Sequence, residues 1–446
     1  MNSAVDSPTG GSDPAGHGLH SHPHEHHWFQ EPTEPASKKY VVGLLVFGTF
    51  TFFTALYLPA IVGIGLKIQD LVHQGIIEAN GATRAAAIMG GWGAVFAATS
   101  NVVFGRVSDR TTSRWGRRRI WIVLGGIILA IALVIMALAP SLVVATIGWC
   151  MGQFGANMAL APMVATIADQ VPRFQRGKIT SWRGIAENFG VLASTVVAQA
   201  FVGRLFLMFF LPSLVMVAGL IIFAVLLPDK VMPVKPPRMN FAEAVQTFWV
   251  SPIKYPDYAL AWWSRFFIMF ASFGFSLFRF FYLLNHVKVP EHDIPGVVSV
   301  SVLIYTACLM VGSFGAGWLS DKLGRRKVFV WSSTVLFAIG TALLPFQYTV
   351  TGFYMCEAIL GAAYGIYIGV DLALVIDVLP NPDDSGKDLG VFNIANSLPQ
   401  TLAPALGGIL VYVNDPTGNN YLLWFMVLAG AAVIGALVIF PIKKVR

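Results

Sequence analysis

The sequence predicts an all-α membrane protein, with twelve transmembrane helices in two pseudo-symmetric six-helix bundles. Three observations carry that prediction. The 446 residues are 56% hydrophobic and only 12% charged, with a mean hydropathy of +0.67. Apolar stretches of about 18 or more residues, long enough to cross a roughly 30 Å hydrocarbon layer, recur along the chain. Charged motifs of the first half return in the second at a nearly constant offset. A soluble chain of this size would need a far more charged surface.

The spans fall near 40–63, 84–105, 119–139, 141–168, 178–203, 204–227, 258–285, 294–317, 328–346, 351–378, 389–412 and 419–442. Their crowding of Gly and Ala suits close helix packing in lipid. No apolar run opens the chain, so no cleaved signal peptide is expected. Cys150, Cys308 and Cys356 all lie inside spans and read as small core residues, with no disulfide or metal spacing.

Residues 1–37 read as a disordered tail, and HGLHSHPHEHHW within it holds six of the nine histidines. Imidazoles are good metal ligands, but their irregular spacing defines no site, and no metal or cofactor is expected. Residues 38–227 form the first bundle, 228–257 a linker and 258–446 the second bundle. In the linker, NFAEAVQTFWV at 240–250 could be an amphipathic surface helix or a plain spacer.

The net charge of +7 would suggest a nucleic-acid partner in a soluble protein, but its distribution argues otherwise. GRVSDRTTSRWGRRR, residues 105–119, puts six arginines between two apolar runs. With the N-terminus inside, the loops and tails of that face collect 23 of the 30 Lys and Arg. Lys67, Arg84, Arg204 and Lys288 face the other way, and Arg183, Arg265 and Arg279 fall within spans. That asymmetry places both termini in the cytoplasm, with the chain crossing the plasma membrane many times. The partners expected are the lipid bilayer and a small molecule, with no nucleic acid, and the chain is expected to be monomeric.

The arginine motif is written twice. Gly105 and Asp109 recur as Gly317 and Asp321 at an offset of 212, while Gly116, Arg117 and Arg118 recur as Gly324, Arg325 and Arg326 at 208. Any later repeat should also fall at 208. Asp169 and Pro172 do match Asp377 and Pro380, and Asn188 matches Asn396. Topology-setting charge alone cannot generate this register. Duplicated halves are how transporters build a site at the interface of two bundles that rock against each other.

A Gly-x-x-x-Asp-Arg/Lys run ending in Gly-Arg-Arg, between spans two and three and again between eight and nine, resembles the major facilitator superfamily over roughly residues 40–442. The resemblance implies that fold and a cytoplasmic gate. Its residues would be Gly105, Asp109, Arg110, Gly116, Arg117, Arg118 and Asp169, with Gly317, Asp321, Gly324, Arg325, Arg326 and Asp377. Asp109 and Arg117, together with Asp321 and Arg325, would help latch the outward-open state. Anchoring of topology is the alternative reading of these charges.

DRTTSRWGRRR is similar to the corresponding run of sucrose–proton symporters and of glycoside–pentoside–hexuronide symporters, and DQVPRFQRGK resembles the loop after their fourth span. Drug–proton antiporters carry a Gly-Pro pair in span five and an arginine in span four. ITSWRGIAENFGVLASTVV and GWCMGQFGANMALAP have neither. Sodium-coupled relatives place paired aspartates in span two, where TRAAAIMGGWGAVFAATSN has none. The resemblance therefore implies proton-coupled symport of a sugar or glycoside. Proton-coupled efflux of small amphiphiles and a non-transporting sensor remain the alternatives.

Charge inside a span costs roughly 2.5–3.5 kcal/mol on insertion scales, so each such residue asks for a partner or a task. Span five carries Arg183 and Glu187, four apart and on one face. Span ten carries Glu357 and Asp371, with Tyr364 midway and Tyr367 beside that stripe. Glu187 and Asp371 are the candidates for proton coupling, with Arg183 tuning the first. Asp371 has no cation on its own helix, and Glu357, in the outer third, reads as a structural or entrance residue.

Gln153 and Asn157 share a face of span four. Asn188 adds an amide in span five, and Asn393, Asn396, Ser397 and Gln400 share a face of span eleven. With Tyr364 and Tyr367, these amides suit a neutral polyol, because each sugar hydroxyl both donates and accepts. Interhelical hydrogen bonds would use the same residues. Trp149, Trp182 and Phe53 could stack on a sugar ring or simply pack. No nucleophile–base pair, phosphate loop or metal cluster points to an enzyme.

Overall fold

The computed structural model describes residues 32–229, 251–378 and 385–442. The histidine-rich tail and the block at 240–250 lie outside the described residues. So do the side chains of Asp377 and Asn393.

Among the described residues, twelve long helical segments follow one another. They are α1 (Lys38–His73), α2 (Ala82–Asp109), α3 (Arg119–Leu138), α4 (Leu142–Gln170), α5 (Arg173–Ala200) and α6 (Leu205–Leu226), then α7 (Pro256–Asn285), α8 (Ile294–Leu323), α9 (Arg326–Leu343), α10 (Val350–Val378), α11 (Ser385–Leu410) and α12 (Tyr421–Val438). Nine of these are long and apolar enough to cross a membrane by length and composition. The other three, α4, α5 and α11, carry the polar faces picked out in the sequence, which is why their hydropathy is diluted.

Helix α1 departs most from its expected span. It widens into π turns at Gly43–Phe50 and Pro59–Gly63, the second beginning where Pro59 lacks the amide that an α turn would use. It then continues to His73, ten residues past the expected end at 63, because IGLKIQDLVH stays amphipathic. Ile64, Ile68 and Leu71 are buried. Lys67, expected on a loop, is buried within the helix, with Nζ 2.9 Å from Asp70 Oδ2 and 3.1 Å from the Ala137 carbonyl oxygen.

The packing repeats itself. In the first six helices α2 packs on α4, α3 on α4 and α6, and α1 on α5 and α6. In the second six, α8 packs on α10, α9 on α10 and α12, and α7 on α11 and α12. Each contact recurs six helices later.

The α8–α10 contact is backbone on backbone. A Cβ at Gly361, Gly365 or Gly369 would lie 2.3, 2.2 or 2.5 Å from the carbonyl oxygens of Tyr305, Leu309 and Ser313. Helices approach this closely in lipid only through residues without side chains.

The halves touch through α2 against α11 and α5 against α8, with α7 also meeting α1 and α2. Hydrogen bonds tie them at the end away from the arginine loops. Thr195 on α5 donates to Ser299 on α8 at 3.3 Å, and Tyr412 beyond α11 bonds residues 80 and 84.

Candidate functional site

Two ion pairs and a group of tyrosines occupy the centre between the halves. On α5, Arg183 and Glu187 are one turn apart and 3.5 Å from each other, a loose pair. The Glu187 side chain is 29% exposed. Arg183 lies 5.6 Å from the Phe53 ring centroid, and its Nε has no hydrogen-bond acceptor among the described residues. Tyr57 on α1 is within electrostatic reach of Glu187, Arg183 and Tyr364 of the second half. Phe53 and Tyr57 stack at 5.5 Å between centroids.

From the second half, Asp371 on α10 meets Arg265 on α7 at 2.9 Å, with Asp371 only 7% exposed. Arg265 Nε also donates to Asn396 Oδ1 on α11 at 2.8 Å, and the guanidinium lies 5.0 Å from the Phe392 centroid. One arginine therefore joins three helices. Asp371 lacks a cation on its own helix, as read, but it is not unpaired. Tyr364 and Tyr367 stack beside this pair, and the buried Tyr367 hydroxyl faces Asp371 without a hydrogen bond of good geometry. The Tyr364 hydroxyl donates to Met269 Sδ at 3.4 Å.

A second α7–α10 pair lies further along the same two helices. Arg279 meets Glu357 at 3.1 Å, with Glu357 fully buried, and its Nη2 donates to the same carboxylate at 3.3 Å. Spacing could have predicted both rungs. Arg265 and Arg279 are 14 residues apart, and so are Glu357 and Asp371. On antiparallel helices, equal spacing puts each cation opposite one acid, roughly 21 Å apart along the axis. Glu357, read as a structural or entrance residue, is therefore held by a cation from α7.

The polar stripes divide. Asn157 is buried and accepts from Asn101 of α2 at 3.1 Å, so it serves as an interhelical bond. The Asn188 amide donates to the Gly184 carbonyl of its own helix at 2.8 Å. Gln153 and Gln400 are partly exposed. Trp149 is buried and packs on Gly93, whereas Trp182 is half-exposed. Thus Arg265, Tyr57 and Asn396 join Glu187 and Arg183 at the centre, while Asn157 is bonded to Asn101.

The arginine loop is assembled around Arg118. Its Nη2 lies 2.6 Å from Asp109, its Nε 2.9 Å from Asp169, and its Nη1 donates to Ser108 at 2.6 Å. Arg117 meets Asp169 at 2.5 Å. Asp109 therefore pairs with Arg118, and all these contacts lie within the first half. Gly116 has φ +101°, and a Cβ there would sit 2.2 Å from Asp229 Oδ2. That carboxylate accepts the Arg118 and Arg119 amides at 2.7 and 3.0 Å, capping the start of α3 from beyond the end of α6. Sequence reasoning missed Asp229; the lack of a capping side chain before α3 was the available signal.

In the second copy, Gly324 is left-handed at φ +62° and ends α8, and Asp321 is 3.8 Å from Arg326.

Two six-helix sets around a charge-balanced centre define a multi-span membrane protein of the two-bundle transporter fold. The chain belongs to the MFS/sugar transport protein family, whose profile matches residues 80–414; this is a family of transporters and not of enzymes. An MFS-type transporter of Methanocaldococcus jannaschii is 24% identical over 77% of this chain and 83% of its own length. Multidrug resistance protein 3 of Bacillus subtilis is 30% identical over 26% of this chain and only 24% of its own length. Among solved structures, a bacterial homolog of the human lysosomal transporter Spinster superposes with a TM-score of 0.67 at 15% identity, covering 91% of this chain and 97% of that one. The nucleoside transporter NupG gives 0.67 at 15% identity over 90% and 99%.

Proposed function

We propose that this protein is a secondary active transporter that moves a sugar or glycoside together with a proton by alternating access. The observation that carries this reading is the shared centre. Arg183 and Glu187 from one half face Tyr364 and the Arg265–Asp371 pair from the other, with charges matched in number. A balanced centre suits a neutral, hydroxyl-rich cargo, and the unused Arg183 Nε supplies a donor for it. The family match to sugar transport proteins supports the same class of substrate.

Glu187 is the leading proton carrier. Its contact with Arg183 is loose and its side chain is partly exposed, so a sugar hydroxyl bound to Arg183 would change the charge beside the carboxylate as the cargo arrives. Asp371, held at 2.9 Å by Arg265, would exchange its proton only when that pair opens. The gate residues of the arginine loop would then link these events to the rocking of the halves at the cytoplasmic side of the plasma membrane, in a single-chain transporter. Proton-coupled efflux of small amphiphiles is the second reading. It is favoured by the partial likeness to a multidrug resistance protein.

Uptake into proteoliposomes under an imposed pH gradient tests the choice, across mono- and disaccharides and several cationic drugs. Sugar accumulation driven by inward protons is expected. Glu187→Gln and Asp371→Asn should each lower pH-driven accumulation by at least ~10-fold, a floor set under the roughly 10²–10⁴-fold that a positioned proton-transfer group contributes. Normal accumulation in both variants removes the coupling assignment, and drug expulsion with no sugar signal selects the second reading.

A further inference from the structure

The halves also meet in a clasp where α2 begins and α11 ends, at the end away from the arginines. Tyr412, just beyond α11, donates its hydroxyl hydrogen to the Asn80 carbonyl oxygen at 2.7 Å and accepts from the Arg84 amide at 3.1 Å. The Arg84 guanidinium lies over the same ring, 5.3 Å from its centroid. That amide is in the first turn of α2, where backbone donors have no partner in their own helix. One side chain of the second half thus satisfies two backbone groups of the first.

The loop carrying Tyr412 is shaped to hold it. Asp415 Oδ1 accepts from the Thr417 amide at 2.9 Å and its hydroxyl at 2.5 Å. The Asn420 amide closes the loop onto the Val411 carbonyl at 3.0 Å, while its side chain donates to Val413 at 2.7 Å. Gly418, at φ +71°, lies so near the ring that a Cβ would be 2.4 Å from Tyr412 Cζ. Burial raises the Tyr412 phenol above its ordinary value, and the Arg84 amide and charge offset only part of this. The hydroxyl keeps its proton, and so its donor role, at neutral pH.

We propose that Tyr412 is the pin of a gate: the two halves separate at this end only when its bonds to Asn80 and Arg84 break. The proposal rests on the reading that the halves rock, but not on the cargo. A reporter lies at the same end. Thr195 on α5 is 1% exposed, with its hydroxyl against Ser299 of the other half. Opening the end would uncover it.

The experiment uses the full chain carrying Thr195→Cys, with Cys150→Ala and Cys308→Ala, in proteoliposomes without substrate. Native Cys356, 2% exposed inside the second bundle, stays as a control for intact packing. A membrane-impermeant maleimide should label the Thr195→Cys thiol slowly in this parent. Tyr412→Phe, which keeps the ring and loses both bonds, should label roughly tenfold faster. Arg84→Ala, which removes the cation but not the amide, should give about a threefold rise. Equal rates in parent and Tyr412→Phe would overturn the clasp. Labelling of Cys356 at the same raised rate would show a loosened bundle and overturn it as well. Thr195→Cys that never labels in either protein would sink the rocking reading itself, and the gate with it.

Discussion

The two copies of the arginine motif share their letters and differ in their contacts. In the first, Arg118 is nearly buried and gathers Asp109, Asp169 and Ser108, while Arg117 adds a second contact to Asp169. In the second, Asp321 is 74% exposed and stands 3.8 Å from Arg326. Ser320, the counterpart of Ser108, is buried with its hydroxyl unbonded among the described residues. The cause is loop length. Residues 110–118 separate α2 from α3, so the arginines can fold back over the end of α2. Only residues 324 and 325 separate α8 from α9, and the arginines begin the next helix instead. The pairing of first aspartate with last arginine, Asp109 with Arg118 and Asp321 with Arg326, survives the duplication. Its tightness does not.

The largest test of that contrast is removal of the acid. Asp169→Asn leaves two nearly buried arginines short of a counter-charge, and breaking such a pair should cost about 3 kcal/mol. Asp321→Asn removes one end of an exposed, long contact and should cost under ~0.5 kcal/mol. Thermal unfolding of the purified variants measures both. Equal shifts would mean that the first copy is no more of a clamp than the second.

Why the clamp was only half legible follows from distance along the chain. Helices were readable because each is one contiguous apolar run, and most ends fall within a few residues of those expected. Arg183 and Glu187 were readable because four residues make one helical turn. Asp229 and Arg118 are 111 residues apart, and Arg265 and Asp371 lie 106 apart. Only packing brings them together. The repeat offset correctly matched the two loops, yet it could not show which arginine each aspartate takes, because that depends on how the inserted residues fold. The contact of Asn157 was hidden for a related reason. An amide on a polar face looks the same whether it waits for a ligand or for Asn101.

The glycines sharpen the comparison at smaller cost. Gly324 is left-handed with open space around it, so Gly324→Ala should lose only the backbone preference, about 1 kcal/mol. Gly116 is strained for any side chain at φ +101° and also abuts Asp229. Gly116→Ala should cost about 2 kcal/mol or more. In an Asp229→Ala background the contact is gone, and the same substitution should fall toward the Gly324 value. Additive costs in that double-mutant cycle would deny that the glycine makes room for the cap.

The smallest difference concerns how the third helix of each half is fastened to the end of the sixth. Arg119 donates to the Leu227 carbonyl, and Lys327 donates to the carbonyls of Phe440 and Ile442, so both halves put a cation on the closing carbonyls. The first half adds Asp229 on the α3 amides, an anion at a helix start, and the described residues of the second offer no such cap in reply. Asp229→Ala should therefore cost about 1 kcal/mol, against ~0.5 kcal/mol for Lys327→Met. Hydrogen exchange at the Arg118 and Arg119 amides reads the cap locally, and faster exchange there alone is expected. Unchanged protection at those two amides in Asp229→Ala would leave the fastening of the two halves equivalent, and the contrast between them would then rest on the loop arginines alone.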